Sequence, residues 1–562
     1  MSSQELNARK PLNLKRLLAS LTFLVVLGFG VAMGTDLFRS LSADIRTYNN
    51  VVKNLLSEYV DDIDSRALIT SSIEGMLSGL DPYTVFIREE DQPNIDMLTS
   101  GSYGGVGIRL GTRQKILTVI SPMEGTPASR AGVRPGDMII KIDSIETAGY
   151  NTEKAARLIR GKPGSSVTLL FRRPGEDETF PVVLVREQIK VNDMPFYGVL
   201  EGTGYINLTR FSKNAAREMS TAILEMQKEG INGLVLDLRG NPGGLLRDAV
   251  AMVDAMVPPG RDIVNTKGRT KRSKRNYKSE KAPVLDENIP LIILVNGGSA
   301  SASEIVAGAI QDLDRGVIIG SETFGKGLVQ SIFPLSRNTS IKMTTAKYYI
   351  PSGRLIQKED YRGGDVFTDG DPNRDSLFTT SNGREVHGGG GITPDIEIKP
   401  ESLGPLTRRL WSGGHFFGFA AANQKNYDLT LPLTITAEMV SGFRGYIATQ
   451  DIDLTLPGEK DMGAFEETVE GLEKFGGVVD FSELKAHFER AKKNAFDDEI
   501  ASIRRGLLLE FSAVSGGLPA RIQASLRDDP VYRKALEILA DPIAYHAVLS
   551  PPDDDTQLGS RN

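Results

Sequence analysis

The central part of the chain, residues 204–341, alternates short unbroken apolar runs with longer amphipathic stretches. Unbroken runs are typical of strands buried on both faces of a sheet, and the amphipathic stretches are typical of the helices that cover those faces. The pattern therefore predicts a layered α/β domain. Its strands are predicted at 205–208, 234–238 and 290–295, and its helices at 215–228, 245–256 and 303–313.

The preceding stretch, from about Tyr103 to Glu187, has a different pattern of apolar and polar residues. Short runs rich in β-branched residues are separated by glycine and proline, which predicts a small β-rich module with two short helices. Its length is small for a domain but sufficient to enclose a core. The clearest strands are predicted at 116–120 and 167–171, and the helices at 128–131 and 152–159.

Helical patterns flank these two regions. Apolar residues at spacings of three and four predict an amphipathic helix, and a second helical stretch, 66–80, ends where Pro82 forces a turn. The apolar stripe of the first helix either packs within its own domain or mediates self-association. The stripe consists of Leu41, Ile45, Tyr48, Val52, Leu55 and Tyr59.

The second half of the chain ends in a helical extension. Residues 363–391 are rich in glycine and polar residues and predict a long loop, and 551–562 predict a disordered end. The amphipathic stretches between them could pack on the core, form a dimer face or dock a partner. The predicted regions are an export segment (1–35), an N-terminal helical region (36–100), the β-rich module (101–188), the α/β core (189–400) and the helical extension (401–562).

The export segment combines a cationic stretch with an uncharged apolar run, Leu17 to Gly34. This order is typical of an export signal, but a run of this length can also span a bilayer about 30 Å thick. A cleaved signal, an uncleaved anchor and a buried soluble helix are the alternatives. Either of the first two predicts an exported, periplasmic chain, with the inner membrane as the site of any anchor.

The composition of the chain excludes several kinds of functional site and partner. A chain of 562 residues is too long for one core, and its net charge of −6 argues against nucleic acid as the main partner. The absence of cysteine excludes disulfides, thiolate metal sites and cysteine nucleophiles. One basic run, 267–278, holds seven Lys or Arg; a solvated loop or hairpin is its expected role, with nucleic-acid binding as the alternative.

The first candidate for a catalytic segment is 296–304, which follows the third strand and begins a helix. Small residues allow close approach to the backbone, and the free N–H groups of a helix start favour a developing oxyanion. One serine among Ser299, Ser301 and Ser303 is therefore a candidate nucleophile, although serines at helix starts are usually caps.

A second candidate is Lys326, which lies between Gly325 and Gly327. Burial would lower the pKa of such a lysine, and the neutral amine could then accept a proton from a serine. A surface lysine in a turn is the alternative. Phosphate binding lacks support because the Walker pattern is absent.

A third segment, 237–244, ends the second strand with the pair Gly243-Gly244. The N–H groups of such a pair can face a substrate carbonyl and form an oxyanion hole. A tight turn with positive φ is the structural alternative.

Together these segments resemble the carboxy-terminal processing proteases, also called tail-specific proteases, over residues 103–399. The nucleophile signature of the family is similar to 298–304, and its lysine signature is similar to 324–327. The resemblance implies an α/β core related to crotonases and Clp proteases.

The same resemblance implies roles for individual residues. Ser301 would be the nucleophile, Lys326 the general base and Gln330 the residue that orients the base. The oxyanion donors would be the N–H of Ala302 and one N–H from Gly243 or Gly244.

The β-rich module resembles a PDZ domain at two points, 103–108 and the turn 128–137. In that fold loop N–H groups hold a terminal carboxylate while the peptide adds a strand to the sheet edge. A PDZ fold that only braces the core is the alternative. The implied peptide-binding residues are Gly105, Val106, Gly107 and Ile108.

The sequence therefore predicts an exported serine endopeptidase that binds protein substrates by their C-termini and cleaves near them, without metal or cofactor. Self-association through the N- or C-terminal helices is a further expectation. The alternatives are a catalytically inactive PDZ scaffold and a crotonase-like acyl-CoA enzyme, which fits an exported chain poorly.

Overall fold

The computed structural model describes residues 41–92, 97, 100–113, 115–176, 178–336, 338–358, 376–399, 401–470 and 480–551. The predicted export segment, most of the predicted disordered end and the first half of the predicted long loop lie outside these residues. Within the described ranges, no helix combines the length and apolar character needed to cross a membrane.

The chain divides into two compact units, and the first ends at Gly79. Its described residues form two helices, of which the first, α1 (41–58), carries the predicted stripe up to Leu55, with Leu41, Ile45 and Tyr48 exposed. The second, α2 (Ser65–Ser78), begins where the carboxylate of Asp64 accepts the N–H groups of its first turn.

The second unit opens with strand β1 (Val85–Ile87) and continues into the β-rich module. A five-stranded path and a two-stranded ribbon build this module around buried aliphatic residues and Phe171. Both predicted helices are present. The elements are β2 (Ser102–Gly105), β3 (Ile108–Arg113), β4 (Ile116–Pro122), α3 (Pro127–Arg130), β5 (Met138–Ile142), β6 (Ile145–Glu146), α4 (Thr152–Ile159), β7 (Ser166–Arg172), β8 (Thr179–Val185) and β9 (Glu187–Lys190).

The α/β core follows and contains all the strands and helices predicted for it. Its elements are β10 (Phe196–Leu200), β11 (Thr203–Asn207), α5 (Ala215–Lys228), β12 (Leu234–Asp237), α6 (Leu246–Asp254), β13 (Asp262–Lys267), β14 (Arg275–Lys278), β15 (Leu291–Val295), α7 (Ala302–Asp312), β16 (Val317–Gly320), β17 (Leu328–Pro334), β18 (Ser340–Tyr349), β19 (Leu377–Thr379), β20 (Glu385–His387) and β21 (Ile396–Glu397).

Two sheets organise this core. The first has the order β10-β11-β12-β15-β16-β21, parallel except for the β10–β11 pair. The second has the order β1-β18-β13-β14, with β17 paired to the other side of β18. The prediction that residues 363–391 form a long loop is wrong in part, because β19 and β20 form a hairpin there. No local apolar pattern marks these two three-residue strands.

The first sheet is covered on both faces, as its unbroken apolar strands require. Leu234 and Leu236 point into a core formed with helices α5–α7, whereas Val235 points to the opposite face. Tyr532 and Tyr545, from the helical extension, pack on that opposite face. The extension therefore packs on the core, which is one of the roles that the sequence left open.

The helical extension has a second core of its own, rich in aromatic rings such as Phe416, Phe443 and Phe511. It also contacts the β-rich module, because the guanidinium of Arg113 lies 5.5 Å from the ring centre of Phe417. Its helices are α8 (Pro405–Ser412), α9 (His415–Asn423), α10 (Ala437–Ala448), α11 (Glu459–Glu470), α12 (Ser482–Asp498), α13 (Ile500–Leu526), α14 (Pro530–Ala540) and α15 (Pro542–Val548).

Candidate active site

The three serines after β15 differ in what their hydroxyl groups contact. The Ser299 hydroxyl donates to the carbonyl of Leu238 at 2.8 Å, and the Ser303 hydroxyl donates to the carbonyl of Asn241 at 2.9 Å. Both residues are fully buried. Ser301 is half-buried and lies at the start of α7 with φ 57° and ψ −109°. A positive φ is costly for a residue with a side chain and is frequent at functional sites.

The carboxylate of Glu304 fixes this strained turn. It is fully buried and accepts the backbone N–H of Ser301 at 2.7 Å and that of Lys326 at 3.0 Å, both on Oε2. Its other oxygen accepts the Gly325 N–H and the Thr323 hydroxyl. Burial raises the pKa of Glu304, and these hydrogen bonds oppose the rise. One carboxylate thus ties the serine turn to the lysine loop.

A tyrosine joins the same two segments from the other side. The hydroxyl of Tyr348, on β18, lies 2.6 Å from the carbonyl oxygen of Lys326 and 3.1 Å from that of Ser301. Burial raises the pKa of Tyr348 well above its usual value, so the hydroxyl stays protonated as a donor. The backbones of Ser301 and Lys326 are therefore held together through both their N–H and C=O groups.

The side chain of Lys326 is sheltered. Desolvation is the main cause that lowers its pKa to about 8; the nearby Lys342 lowers it further, and Glu304 and Asp81 act in the opposite sense. Its Nζ lies 4.2 Å from the ring centre of Tyr83. No hydrogen bond of this Nζ is found among the described residues. The amine is thus positioned by packing.

Gln330 lies on β17, four residues after Lys326. Its Nε2 donates to the hydroxyl of Thr344 at 3.3 Å, and that hydroxyl donates to Asp81 at 3.1 Å. The side chain therefore reaches the neighbourhood of the lysine but bonds to β18 in this structure.

The glycine pair after β12 lies against the serine turn. A Cβ added to Gly243 would come within 3.0 Å of the Ser301 Cβ, so only glycine fits there. The Gly243 N–H donates to the side chain of Asn241 at 2.9 Å. The N–H groups of Gly244 and Ala302 have no acceptor within the described ranges.

The predicted peptide-binding loop lies at the start of the edge strand β3. Gly105, Val106 and Gly107 are buried, and Gly107 has φ 74°. Its carbonyl accepts the N–H of Met123, which fixes the loop against the end of β4. In the described part of the module, β3 pairs only with β4, so its other edge, starting at Ile108, is open.

No group of three or more metal-ligating side chains is found in the residues that the structure describes. Asp237, which the sequence places beside the glycine pair, is paired with Arg239 and accepts the hydroxyl of Tyr205. Arg239 also pairs with Asp529 of the helical extension. This cluster joins the extension to the core.

Sequence reasoning gave no role to Glu304, Tyr348 or the turn that holds Asp81 and Tyr83. Glu304 ends the nucleophile signature, and a serine followed three residues later by glutamate at a helix start is a capping-box signal. The tyrosines reach the site through strand pairing over long separations, for which the local sequence holds no signal.

Three family descriptions match the chain. Peptidase family S41 matches residues 202–363, the PDZ domain matches 118–173, and the probable PDZ-protease C-terminal helical domain matches 406–539. These matches lie within the α/β core, the β-rich module and the helical extension.

Several curated proteins that resemble this chain are described as carboxy-terminal processing proteases. A carboxy-terminal-processing protease of Bartonella bacilliformis is 40% identical over 314 residues, which are 55% of this chain and 72% of that protein. The carboxy-terminal processing protease CtpA of Bacillus subtilis is 34% identical over 320 residues, or 55% of this chain and 66% of that protein. Among solved structures, a photosystem II D1 C-terminal processing protease is 29% identical, with 62% of this chain and 86% of that chain covered and a TM-score of 0.35.

Proposed function

Because the chain belongs to the carboxy-terminal processing proteases of peptidase family S41, a family of serine proteases, we propose that Ser301 and Lys326 form its catalytic pair. Ser301 attacks the scissile carbonyl as Lys326 accepts the hydroxyl proton, and Lys326 then gives that proton to the leaving amine as the peptide bond breaks. The neutral amine next takes a proton from the water that attacks the acyl-enzyme ester, and returns it to Ser301 as the acid product leaves. Gln330 orients the amine once substrate is bound. The sheltered amine of Lys326, tied to the Ser301 turn through Glu304 and Tyr348, carries this proposal.

The lowered pKa makes this lysine a usable base. With a pKa of about 8, roughly a tenth of the amine is neutral at pH 7, whereas the fraction is about 0.03% for an unshifted lysine. Activity should therefore rise with pH through about 8 and then level off. A rise centred instead near pH 10.5 would mean that the amine is not sheltered in the working enzyme.

Two N–H groups would stabilise the oxyanion. Ala302 and Gly244 have no acceptor within the described ranges, and the Gly243 N–H is already bonded to Asn241. We therefore favour Gly244 over Gly243 as the second donor. The position of the nucleophile at a strand-to-helix turn also supports a relation of the core to the crotonase and Clp-protease folds.

Substrate capture is proposed for the PDZ domain. Its loop Gly105-Val106-Gly107-Ile108 would hold the terminal carboxylate, and the open edge of β3 would accept the tail as an added strand. The substrates would thus be proteins recognised by their C-terminal residues. A tailed peptide should compete for binding, and the same peptide with an amidated C-terminus should not.

The test of catalysis uses Ser301→Ala and Lys326→Ala in the full chain. Each should abolish cleavage of a tailed protein substrate and labelling by a fluorophosphonate probe, while tail binding persists. Lys228→Ala, on the exposed side of α5, serves as the matched control and should cleave normally. Full cleavage by either site variant would overturn the catalytic assignment. Tail binding by a wild-type chain that does not label would instead support the inactive scaffold.

Export and self-association complete the proposal. The cationic stretch and apolar run before Gly34 support export to the periplasm, and the exposed apolar stripe of α1 supports association of two chains. Carbonate extraction of membranes separates a cleaved signal from an anchor. Light scattering of the wild type and of Ile45→Glu should give different masses if the stripe joins two chains.

A further inference from the structure

The turn from Asp81 to Thr84 lies over the amine of Lys326. Strand β1 follows it directly and pairs antiparallel with β18, with Val85 opposite Lys342 and Ile87 opposite Ser340. This pairing brings a segment from far earlier in the chain onto the catalytic sheet, since the partners Phe86 and Ile341 are 255 positions apart. The ring of Tyr83 lies against the ammonium, with its centre 4.2 Å from Nζ.

Internal hydrogen bonds give the turn a fixed shape. The carboxylate of Asp81 accepts the N–H groups of Tyr83 and Thr84, at 2.9 and 3.0 Å, and the hydroxyl of Thr84 at 2.7 Å. Pro82 restricts the backbone between them. The position of the Tyr83 ring is therefore set by the turn as a whole.

Two further bonds attach the turn to β18. The N–H of Thr344 donates to the Thr84 hydroxyl at 3.1 Å, and the hydroxyl of Thr344 donates to Asp81 at 3.1 Å. Gln330 donates to the same Thr344 hydroxyl. The turn is thus linked to both residues proposed to act around Ser301, since its ring contacts Lys326 and its carboxylate reaches Gln330 through Thr344.

The ring can influence the amine in two ways that oppose each other. As an apolar cover it keeps water away from the ammonium, which favours the neutral amine. As an aromatic face it attracts the ammonium, which favours the charged form. The charged or titratable groups of the other elements around Lys326 are Lys342 on β18, Glu304 on α7, Asp81 in the turn and Tyr348 on β18.

We propose that Tyr83 is a positioning residue for the general base, whose ring both seals the amine of Lys326 from water and holds the ammonium against its face. The proposal rests on the proposed catalytic role of Lys326. It assigns to the turn before β1 a function that neither catalytic signature contains. Substrate entry would then have to draw the amine from the ring toward Ser301.

Three substitutions separate the two effects of the ring. The acid limb is the part of the kcat/KM profile in which activity rises with pH. Tyr83→Phe keeps both the cover over the amine and the aromatic face, so the midpoint of this limb should stay within about 0.2 pH units of wild type. Tyr83→Leu keeps the cover and loses the face, so the limb should move to lower pH by roughly half a unit to one unit. Tyr83→Ala opens the pocket, so the limb should move to higher pH by about one unit or more, with roughly tenfold less activity at pH 7.

The measurement is kcat/KM on a tailed substrate from pH 5.5 to 10, paired with the rate of fluorophosphonate labelling over the same range. A matched control is Tyr150→Leu, which removes another ring that contacts an ammonium, that of Lys154 at 3.8 Å, in the PDZ domain. This control should leave the acid limb unchanged. Thermal melts of every variant report whether the chain remains folded.

The outcomes distinguish this inference from the proposed function. An equal loss of activity at every pH in the Leu variant, or a limb that does not move, would mean that Tyr83 only supports the fold, and the inference would be overturned. Full cleavage by Lys326→Ala would overturn the catalytic assignment itself, whatever Tyr83 does. If the Ala variant does not fold, the Phe and Leu variants decide the question alone.

Discussion

Two basic loops of the same sheet have opposite surroundings. Lys326 precedes β17 and is enclosed by Tyr83, Glu304 and Tyr348. The basic side chains of the hairpin of β13 and β14, two strands away across β18, are exposed, although the ammonium of Lys267 lies 4.2 Å from the ring centre of Tyr349. A hydrated ammonium ion keeps its proton near neutral pH, whereas a desolvated one can release it. Folding, more than residue type, therefore decides which lysine can act as a base.

The charges of the hairpin also lack partners of opposite sign. Lys278 pairs with Asp262, but no ion pair is found for the other six basic residues of 267–278 within the described ranges. Around Lys326, by contrast, hydrogen bonds fix Glu304, Tyr348 and Asp81. The contrast predicts large effects of substitution at the enclosed lysine and small effects at the hairpin.

The largest effect is expected for Lys326→Arg. A guanidinium stays charged in proteins, so this variant keeps the charge but cannot act as a base. We expect kcat/KM to fall about 1000-fold or more at pH 7.5, without recovery at pH 10. Cleavage of a tailed substrate measures this, with Lys228→Arg as the control. Recovery at alkaline pH to within tenfold of wild type would contradict the role of Lys326.

The next largest effect is expected for Glu304→Gln. An amide has one acceptor oxygen, so its NH₂ group would face N–H donors that Oε2 now accepts from Ser301 and Lys326. We expect roughly 100-fold lower activity and a free energy of unfolding reduced by about 3 kcal/mol. Denaturant melts and cleavage assays measure the two losses. Wild-type activity in this variant would show that the tie between the two loops is dispensable.

A great deal of the fold could be predicted from the sequence. The buried strands of the core are unbroken apolar runs, and helix 215–228 was predicted with the bounds that α5 has. The hairpin of β19 and β20 was missed because three-residue strands leave no periodic signal. The covering of the second sheet face by Tyr532 and Tyr545 also depends on packing that spacing alone does not reveal.

Some residues of the candidate site could also be predicted from the sequence, whereas others could not. Ser301 and Lys326 stand in short local signatures, so a resemblance could identify them. Spacing alone does not separate Ser301 from Ser299 and Ser303. The resemblance names Ser301, and the structure adds that the hydroxyls of the other two donate to backbone carbonyls. Tyr83 and Tyr348 are brought to the lysine by pairing of β1, β17 and β18, which no short window of sequence encodes.

A smaller effect is expected for Tyr348→Phe, which keeps the ring and removes the hydroxyl near both carbonyls. The hydroxyl has one proton, which lies between two partly buried carbonyl oxygens, so its loss costs about 1–3 kcal/mol. Because Glu304 still holds the N–H groups, we expect activity to fall only about tenfold, with the acid limb unchanged. Stability and pH profiles measured side by side check this. A loss as large as that of Glu304→Gln would make Tyr348 the main tie between the loops.

The smallest effect is expected in the hairpin. Lys271→Gln, Arg272→Gln and Lys274→Gln together remove three exposed charges that form no ion pair within the described ranges. Because exposed charges are hydrated and screened by salt, kcat/KM should stay within about twofold of wild type, with the same acid limb. Measurements at low and at 0.15 M ionic strength test this. A loss that appears only at low salt would mean that the hairpin attracts acidic substrates. The Lys326 loop would then supply the base, and the hairpin would supply a docking surface.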